Sequence, residues 1–411
     1  MPHKKRVEYL NRKLRGIVQH AYKHSVAFRG KMDCVNLKPK DIQTLKDLEK
    51  LPVTKKSDLV ELQKKHPPFG GFEAVPIQKL RRIYVSPGPI YEPGETDYEE
   101  IAWAQAMVAG GFRPGDIAIN TFNYHMVPFA LHMVDNTLHR IGCITVPTGV
   151  GNTEQQVHIL KNLKANAFCG TPSFLLNLAE KAEEMGLDPR KDLTLRVGFV
   201  AAEMLPESLR SKLEERFQMT IRQSYGTADI GCLGYECTEK NGMHLPEDKI
   251  VEIVDPETGK QLPAGQPGEI VATTFNKVYP LIRFGTGDLS LLTDAPCPCG
   301  RTSSRLVRIL GRVDQMTKVR GLFIHPGQAD EIGARHPQIG RYQVVVTRKE
   351  NKDEMTFRME LKEEVSPIEK LKEEIERSVR DVMKLRGGVE FVPRGTILEG
   401  AKKIEDQRTW D

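Results

Sequence analysis

Arg283-Phe-Gly-Thr-Gly-Asp-Leu-Ser290, followed by Gly311-Arg-Val-Asp-Gln-Met-Thr-Lys-Val-Arg-Gly321, decides how this chain is read. The first segment carries an Asp held in a Gly-rich turn. The second is a short Arg/Asp hinge that leads into a new strand. An ionised carboxylate offers only acceptors, so Asp288 is suited to binding a pair of sugar hydroxyls. Between the two lies Cys297-Pro-Cys299.

Upstream of this region, apolar runs alternate with helical patterns. Helices over 97–110, around 126–140, 153–164 and 173–185 separate strands at 116–120, 143–147, 167–169 and 195–200. Strands divided by crossover helices imply parallel sheets. Residues 5–30 read as one helix, with Val7, Leu10, Leu14 and Val18 on one face. The 51–59 stretch is a loop entering a helix, with Thr54 as its cap. After Lys249 the runs at 250–254 and 268–272 suggest a β-rich subdomain.

Downstream, strands are expected at 343–348, 355–361 and 389–392. The helix at 366–384 places Ile368, Leu371, Ile375, Val379 and Val382 on one face. A polar, basic tail follows the last strand. The expected fold class is therefore α/β, with a large N-terminal domain of parallel sheets and a β-rich subdomain over 1–313. A small α+β domain fills 314–411.

Bulk properties narrow the function. The 411 residues exceed one ordinary core. Sixty basic and 55 acidic side chains leave a net charge of +5, spread along the chain, which does not favour nucleic acid as a partner. No run of about 18 apolar residues is present, so neither a spanning helix nor a membrane partner is expected. The N-terminus has basic residues without an apolar segment behind them, unlike a secretory signal. Seven cysteines, an odd number, argue against a disulfide framework and for a reducing cytoplasm.

Two residue groups carry chemistry. Ile221-Arg-Gln-Ser-Tyr-Gly-Thr-Ala-Asp229 places an aromatic, a Gly and a carboxylate within five residues after a strand. The ring of Tyr225 can stack on a purine, and Gly226 lets the backbone approach a ligand. Asp229 can hold Mg²⁺ between phosphates. Cys237, His244, Cys297 and Cys299 supply three thiolates and one imidazole, the set that closes a tetrahedral Zn²⁺ site with protein ligands alone. Such a zinc would pin the β-rich subdomain and do no chemistry.

Taken in order, Tyr225-Gly-Thr-Ala-Asp229, Glu236-Cys237, His244, Phe284-Gly-Thr-Gly-Asp288, Cys297-Pro-Cys-Gly-Arg-Thr302 and Gly311-Arg-Val-Asp314 resemble the phenylacetate–coenzyme A ligase branch of the adenylate-forming superfamily. The resemblance extends upstream through Leu51-Pro-Val-Thr-Lys-Lys-Ser-Asp-Leu59, Gly115-Asp116, Gly170-Thr-Pro-Ser173 and Ala201-Ala-Glu203, and covers nearly the whole chain. It implies an acid–thiol ligase that uses ATP and Mg²⁺ to form an acyl-adenylate, then passes the acyl group to coenzyme A. An aromatic acid is the expected substrate. Tyr225 and Gly226 would take adenine, with Ala202 and Glu203 lining that pocket. Asp229 fills a metal-binding position where the family usually has Glu. Asp288 would bind ribose, and Arg312 would approach ribose and phosphate. Asp314 would be the hinge of a mobile C-terminal lid, and Gly321 the turn that closes over the coenzyme A channel.

The chain departs from the pattern in two places. Where relatives carry a Ser/Thr/Gly-rich phosphate loop, this chain has Tyr84-Val-Ser-Pro-Gly-Pro-Ile-Tyr-Glu-Pro-Gly94. Three prolines remove N–H donors, the basic residue is missing, and Glu92 is expected to repel triphosphate. Ser86 and Gly88 alone remain of a cradle. Near the C-terminus relatives place a catalytic Lys just after a Gly, whereas here Gly400-Ala-Lys402-Lys403 offers two candidates one step out of register. His125 is a minor candidate for the acyl pocket. Two alternatives accompany the ligase reading: nucleotidyl transfer to a cofactor such as a deazaflavin, and a non-catalytic protein that keeps the scaffold. Oligomeric state is open, with a homodimer among the options.

Overall fold

The computed structural model describes residues 1–86, 90–94, 101–320, 322–349, 352–363 and 366–408. Contacts divide them into two units. One is Met1–Thr286 with Leu291–Arg308, the other Gly287–Ser290 with Ile309–Asp411.

The first unit is organised by a nine-stranded sheet that changes character at one strand. Ile144–Val146, Ile117–Asn120, Ala167–Gly170, Val197–Val200 and Thr220–Thr227 run parallel. From Thr220–Thr227 onward the neighbours Gly231–Glu236, Met243–His244, Arg305–Leu306 and Leu292–Thr293 are antiparallel. Helices Thr153–Leu163, Pro172–Glu184 and Glu207–Phe217 are crossovers between the parallel strands.

Both faces of its inner strands Ile117–Asn120, Ala167–Gly170 and Val197–Val200 are buried, which explains their near-continuous apolar runs. Ala118, Ala167, Cys169, Val197 and Phe199 pack into one core with Trp103 and Phe122. Their neighbours Ile119, Phe168 and Val200 face the other core, with Leu160, Leu175 and Leu213. The alternation is the period-2 geometry of a strand. A second sheet runs Thr54–Lys55, Phe284–Ser290, Gly268–Thr274, Lys249–Val254, with Gly311–Arg312 paired to the far end of Phe284–Ser290.

Two helices differ from expectation. The helix expected over 5–30 is two, His3–His24 and Val26–Cys34. Ser25 is extended and its side chain accepts from Phe28 N, so a cap breaks the run. The helix expected from 126 starts at Phe129, because Met126 sits at φ 68°. Its first seven residues, Phe129–Asp135, are π-helical, a form that often marks functional sites.

The second unit holds a four-stranded sheet ordered Gly388–Phe391, Lys352–Leu361, Ile339–Lys349, Ile404–Asp406. Helix Ile368–Met383 buries Leu371, Ile375, Val379 and Met383 at i,i+4 spacing, while Ile368 is exposed. The sheet's fourth strand corrects the expectation of a plain tail. Ile404–Asp406 pairs in parallel with Val344–Val346. No described helix is long and apolar enough to cross a membrane.

Candidate active site

The bend where the nine-stranded sheet turns antiparallel carries the first group of site residues. Tyr225 and Gly226 end strand Thr220–Thr227, and the turn through Asp229 reverses the chain into Gly231–Glu236. A Cβ at Gly226 would lie 2.4 Å from the Gly231 carbonyl oxygen, so only glycine fits this close approach. The Tyr225 hydroxyl donates to Thr286 Oγ1 at 3.2 Å, and Thr286 donates to the Ile270 carbonyl at 3.0 Å. These bonds hold the Tyr225 ring in place from the second sheet. Beside the parallel strands, Ala202 is held at φ 69°, a strained conformation for a residue with a side chain. Glu203 accepts from Ser173 Oγ at 2.8 Å, which joins two of the quoted motifs.

Asp229 has a fully buried side chain, and Lys56 Nζ lies 2.5 Å from its Oδ2. Asp229 Oδ1 is buried with no hydrogen-bond partner among the described residues. Lys56 comes from the short turn Lys56–Asp58 that follows strand Thr54–Lys55. That strand pairs in parallel with Phe284 and Gly285, and the pairing sets the reach of the Lys56 side chain. Sequence reasoning quoted this stretch and gave Lys56 no role. Its signal, a lysine far in sequence from any acid partner, appears only once the sheet is assembled.

The stretch expected to cradle phosphate is a β-hairpin, Arg82–Ser86 against Ile90–Gly94. Gly88 lies outside the described residues. Two backbone donors of the hairpin are already engaged, Val85 N by Met126 O and Tyr91 N by Gln63 Oε1. Alternation buries Tyr84, Ser86, Ile90 and Glu92 on one face. Gly94 is required there, since a Cβ would stand 2.6 Å from the Tyr84 ring.

Glu92 corrects the sequence reading. Burial, then the nearby Asp229 charge, raise its carboxyl to about 8, against the lowering effects of Ser86 and Lys56. At pH 7 Glu92 is therefore mostly neutral and presents little charge to repel an anion. Ser86 Oγ donates to its Oε1 at 2.5 Å, while Oε2 is buried without a partner among the described residues. A cavity of about 50 Å³ lies against Tyr84, Glu92, His132, Met133, Asp229 and Tyr279. His132, on the π-helical segment, lines it and is held below its usual pKa by burial and the Arg82 cation. His125 is exposed.

In the second unit, Asp288 and Arg312 are cross-strand partners with Arg312 NH1 2.7 Å from Asp288 Oδ1. Gly287 sits at φ 77°, and a Cβ there would meet the Arg312 guanidinium at 2.7 Å. Arg312 also reaches Asp314 Oδ1 at 3.7 Å, and the Asp314 side chain is 77% exposed. Gly321 lies outside the described residues. Lys403 is engaged within its own unit, 3.5 Å from Asp330 and over the Tyr342 ring at 3.7 Å. Lys402 is exposed, with its carbonyl accepting from Gln343.

Cys237, His244, Cys297 and Cys299 converge, their ligand atoms all within 4.8 Å of one another. The Cys237 and Cys297 sulfurs are 3.7 Å apart and Cys299 Sγ lies 3.4 Å from His244 Nε2. Those spacings suit the edges of a zinc–thiolate tetrahedron. His244 Nδ1 bonds Ser303 Oγ at 3.1 Å, which orients the ring as an outer-shell partner would. Burial, then the Arg301 and Arg305 cations, push His244 down to about 4, leaving the neutral imidazole that metals bind.

Comparison with known proteins agrees with this geometry. Residues 101–276 match the AMP-binding enzyme family and 321–408 match the AMP-binding enzyme C-terminal domain. Phenylacetate–coenzyme A ligase of Thermus thermophilus is 33% identical over 88% of this chain and 83% of its own length. That of Aromatoleum evansii is 31% identical over 96% and 93%. Among solved structures, an open conformation of 2-hydroxyisobutyryl-CoA ligase with 2-HIB-AMP and CoA superposes with a TM-score of 0.89. It is 28% identical and the match covers 99% of this chain and 93% of that one. The chain belongs to the phenylacetate–coenzyme A ligase branch of the AMP-binding enzymes, ligases that activate a carboxylic acid with ATP as an acyl-adenylate and transfer it to coenzyme A.

Proposed function

We propose that this ligase activates an aromatic acid at a site centred on Asp229, and that Lys56 supplies the cation missing from the hairpin at 82–94. The observation that carries the proposal is the ion pair of half-buried Lys56 with fully buried Asp229 beside Glu92, with one oxygen on each carboxyl unpartnered among the described residues. Tyr225 and Gly226 take adenine with Ala202 and Glu203 at the rim, and Asp288 with Arg312 takes ribose. Asp229 would hold Mg²⁺, as its carboxylate chemistry allows. Lys56 then offsets phosphate charge from a low-dielectric wall, where a fixed cation acts most strongly. Bound ATP and Mg²⁺ supply the leaving pyrophosphate and its charge neutralisation. The Cys237, His244, Cys297 and Cys299 set holds a structural zinc.

Lys402 takes the charge-stabilising part expected near the C-terminus, since Lys403 is occupied by Asp330 and Tyr342. Asp314 keeps its hinge role, ahead of a unit that closes as a lid.

The aromatic acid follows the phenylacetate ligases among the relatives. One observation favours a second reading, a small hydroxy acid. The cavity beside Asp229 holds about 50 Å³, whereas a cavity of roughly 150 Å³ is of the size that takes benzene. Pyrophosphate release with phenylacetate, benzoate and 2-hydroxyisobutyrate separates the two. Turnover with the aryl acids supports the first reading. Turnover with 2-hydroxyisobutyrate alone supports the second, and adenylated product without thioester would sink both.

A further inference from the structure

A second cleft shares no lining residue with the Asp229 cavity and includes Thr54 of strand Thr54–Lys55 in its wall. It encloses about 480 Å³, roomier than the Asp229 cavity. Its walls are mostly apolar, from Val26, Ala27, Val53, Leu62 and Phe72. Lys31, in the last turn of helix Val26–Cys34, is the basic amine among its lining residues. Its Nζ donates to Thr54 Oγ1 and to the Ile282 carbonyl, both at 2.9 Å. An ammonium carries three donors, so one valence remains for the cleft.

The charges around the amine do not balance. Arg283, next to Lys31, is fully buried and pairs with Glu252 at 3.0 Å. Two further donors go to the Leu51 and Gly259 carbonyls. Two cations thus share the one carboxylate of Glu252, and Arg283 occupies it. Asp58 and His66 also line the cleft, and both are exposed at its rim. An apolar cavity with a basic amine at its base that has no partner acid of its own among the described residues is complementary to an amphipathic anion.

We propose that this cleft, formed by Gly30, Lys31, Val53, Leu62, Gly71 and Phe72, is a second ligand site for a small carboxylate with an apolar tail. The carboxylate sits on Lys31 and the tail lies along Val53, Leu62 and Phe72. Burial, then the Arg283 cation, hold the Lys31 amine down at about 7. A bound carboxylate therefore draws a proton onto it above neutral pH.

Hexanoate is the probe, titrated calorimetrically into the full-length protein at pH 8, with hexanol as the uncharged control. Two variants locate the site. Gly30→Phe is chosen to plug the cleft, because a Cβ at Gly30 meets nothing within 4 Å. Lys31→Met keeps the length of the side chain and removes the amine. The proposal expects saturable hexanoate binding that is abolished in Gly30→Phe and weakened about tenfold or more in Lys31→Met, as for loss of a hydrogen bond to a charged group. It also expects a binding heat that varies with buffer ionisation, a dependence lost in Lys31→Met. Hexanoate binding that survives Gly30→Phe overturns the proposal, as does hexanol binding equally well. No detectable hexanoate binding also overturns it. Should Lys31→Met not fold, Gly30→Phe alone decides. These measurements need no catalytic turnover, so they stand apart from the fate of the proposed ligase reaction.

Discussion

The turn at 225–231 and the hairpin at 82–94 meet the same cavity but specify it differently. The turn is fixed by backbone geometry. Gly226 lies where any side chain would strike the Gly231 carbonyl, and Tyr225 is tied through Thr286 to Ile270. The described residues of the hairpin keep little of a phosphate cradle. Its Val85 and Tyr91 donors are engaged, and Glu92 stands in its buried face. The difference is that steric requirements stay local, whereas charge can be supplied from elsewhere. Lys56 reaches Asp229 from the turn after strand Thr54–Lys55, and burial keeps Glu92 largely neutral.

The sharpest way to break that contrast is Lys56→Met. Removing a preorganised charge from a buried site costs on the order of 10²-fold in turnover, and leaving Asp229 unpaired costs about 3 kcal/mol of stability. Pyrophosphate release and urea unfolding check both, with Lys56→Arg recovering part of each. If turnover changes by less than threefold, Lys56 is not the replacement cation.

Next comes the cysteine–histidine cluster, away from the contrast and a control for it. Metal analysis is expected to find one zinc per chain. Stripping it, or Cys297→Ser, is expected to lower stability by roughly 3 kcal/mol or more. A metal-free protein with unchanged unfolding would remove the zinc from the account.

Gly226→Ala tests the steric side. The 2.4 Å approach to Gly231 O has no flexible side chain to give way. A loss of about 1–3 kcal/mol is expected, with AMP affinity falling in parallel. Tolerance of alanine would show that the turn is less constrained than its geometry implies.

Glu92→Gln is expected to do least at pH 7, within about fivefold in turnover, because one neutral hydrogen-bonding group replaces another. Its effect lies in the pH dependence. The folded carboxyl, at about 8, lies above the ordinary Glu value of about 4.3 in an unfolded chain. Its stabilising contribution is therefore full below that unfolded value and is lost as pH rises through about 8. Urea midpoints at pH 5 and pH 9 should diverge in the wild type and converge in Glu92→Gln. Parallel slopes in the two proteins would mean that Glu92 is charged throughout.

Much of the fold was legible because buried parallel strands and crossover helices have distinct periods. The runs at 116–120, 167–169 and 195–200 became central strands within a residue or two of their expected limits. Local rules failed where a single side chain interrupts a longer pattern, as at Ser25, and where polar residues complete a sheet, as in Ile404–Asp406. The convergence of Cys237, His244, Cys297 and Cys299 was readable from residue type together with the family resemblance. Lys56 and the neutral state of Glu92 were not. Both depend on distances between segments remote in sequence, and burial has no signature in a short polar stretch. Lys402 and Lys403 looked equivalent in sequence, and the Asp330 and Tyr342 contacts of Lys403 distinguish them.

The most direct test of the central claim is calorimetric titration of the wild type and Lys56→Met with Mg·ATP and, separately, with AMP. The account predicts that the wild type binds both and that Lys56→Met loses Mg·ATP by about tenfold or more while retaining AMP, since the residues assigned to adenine and ribose are untouched. Equal loss of both ligands, or Mg·ATP binding unchanged by the substitution, would contradict it.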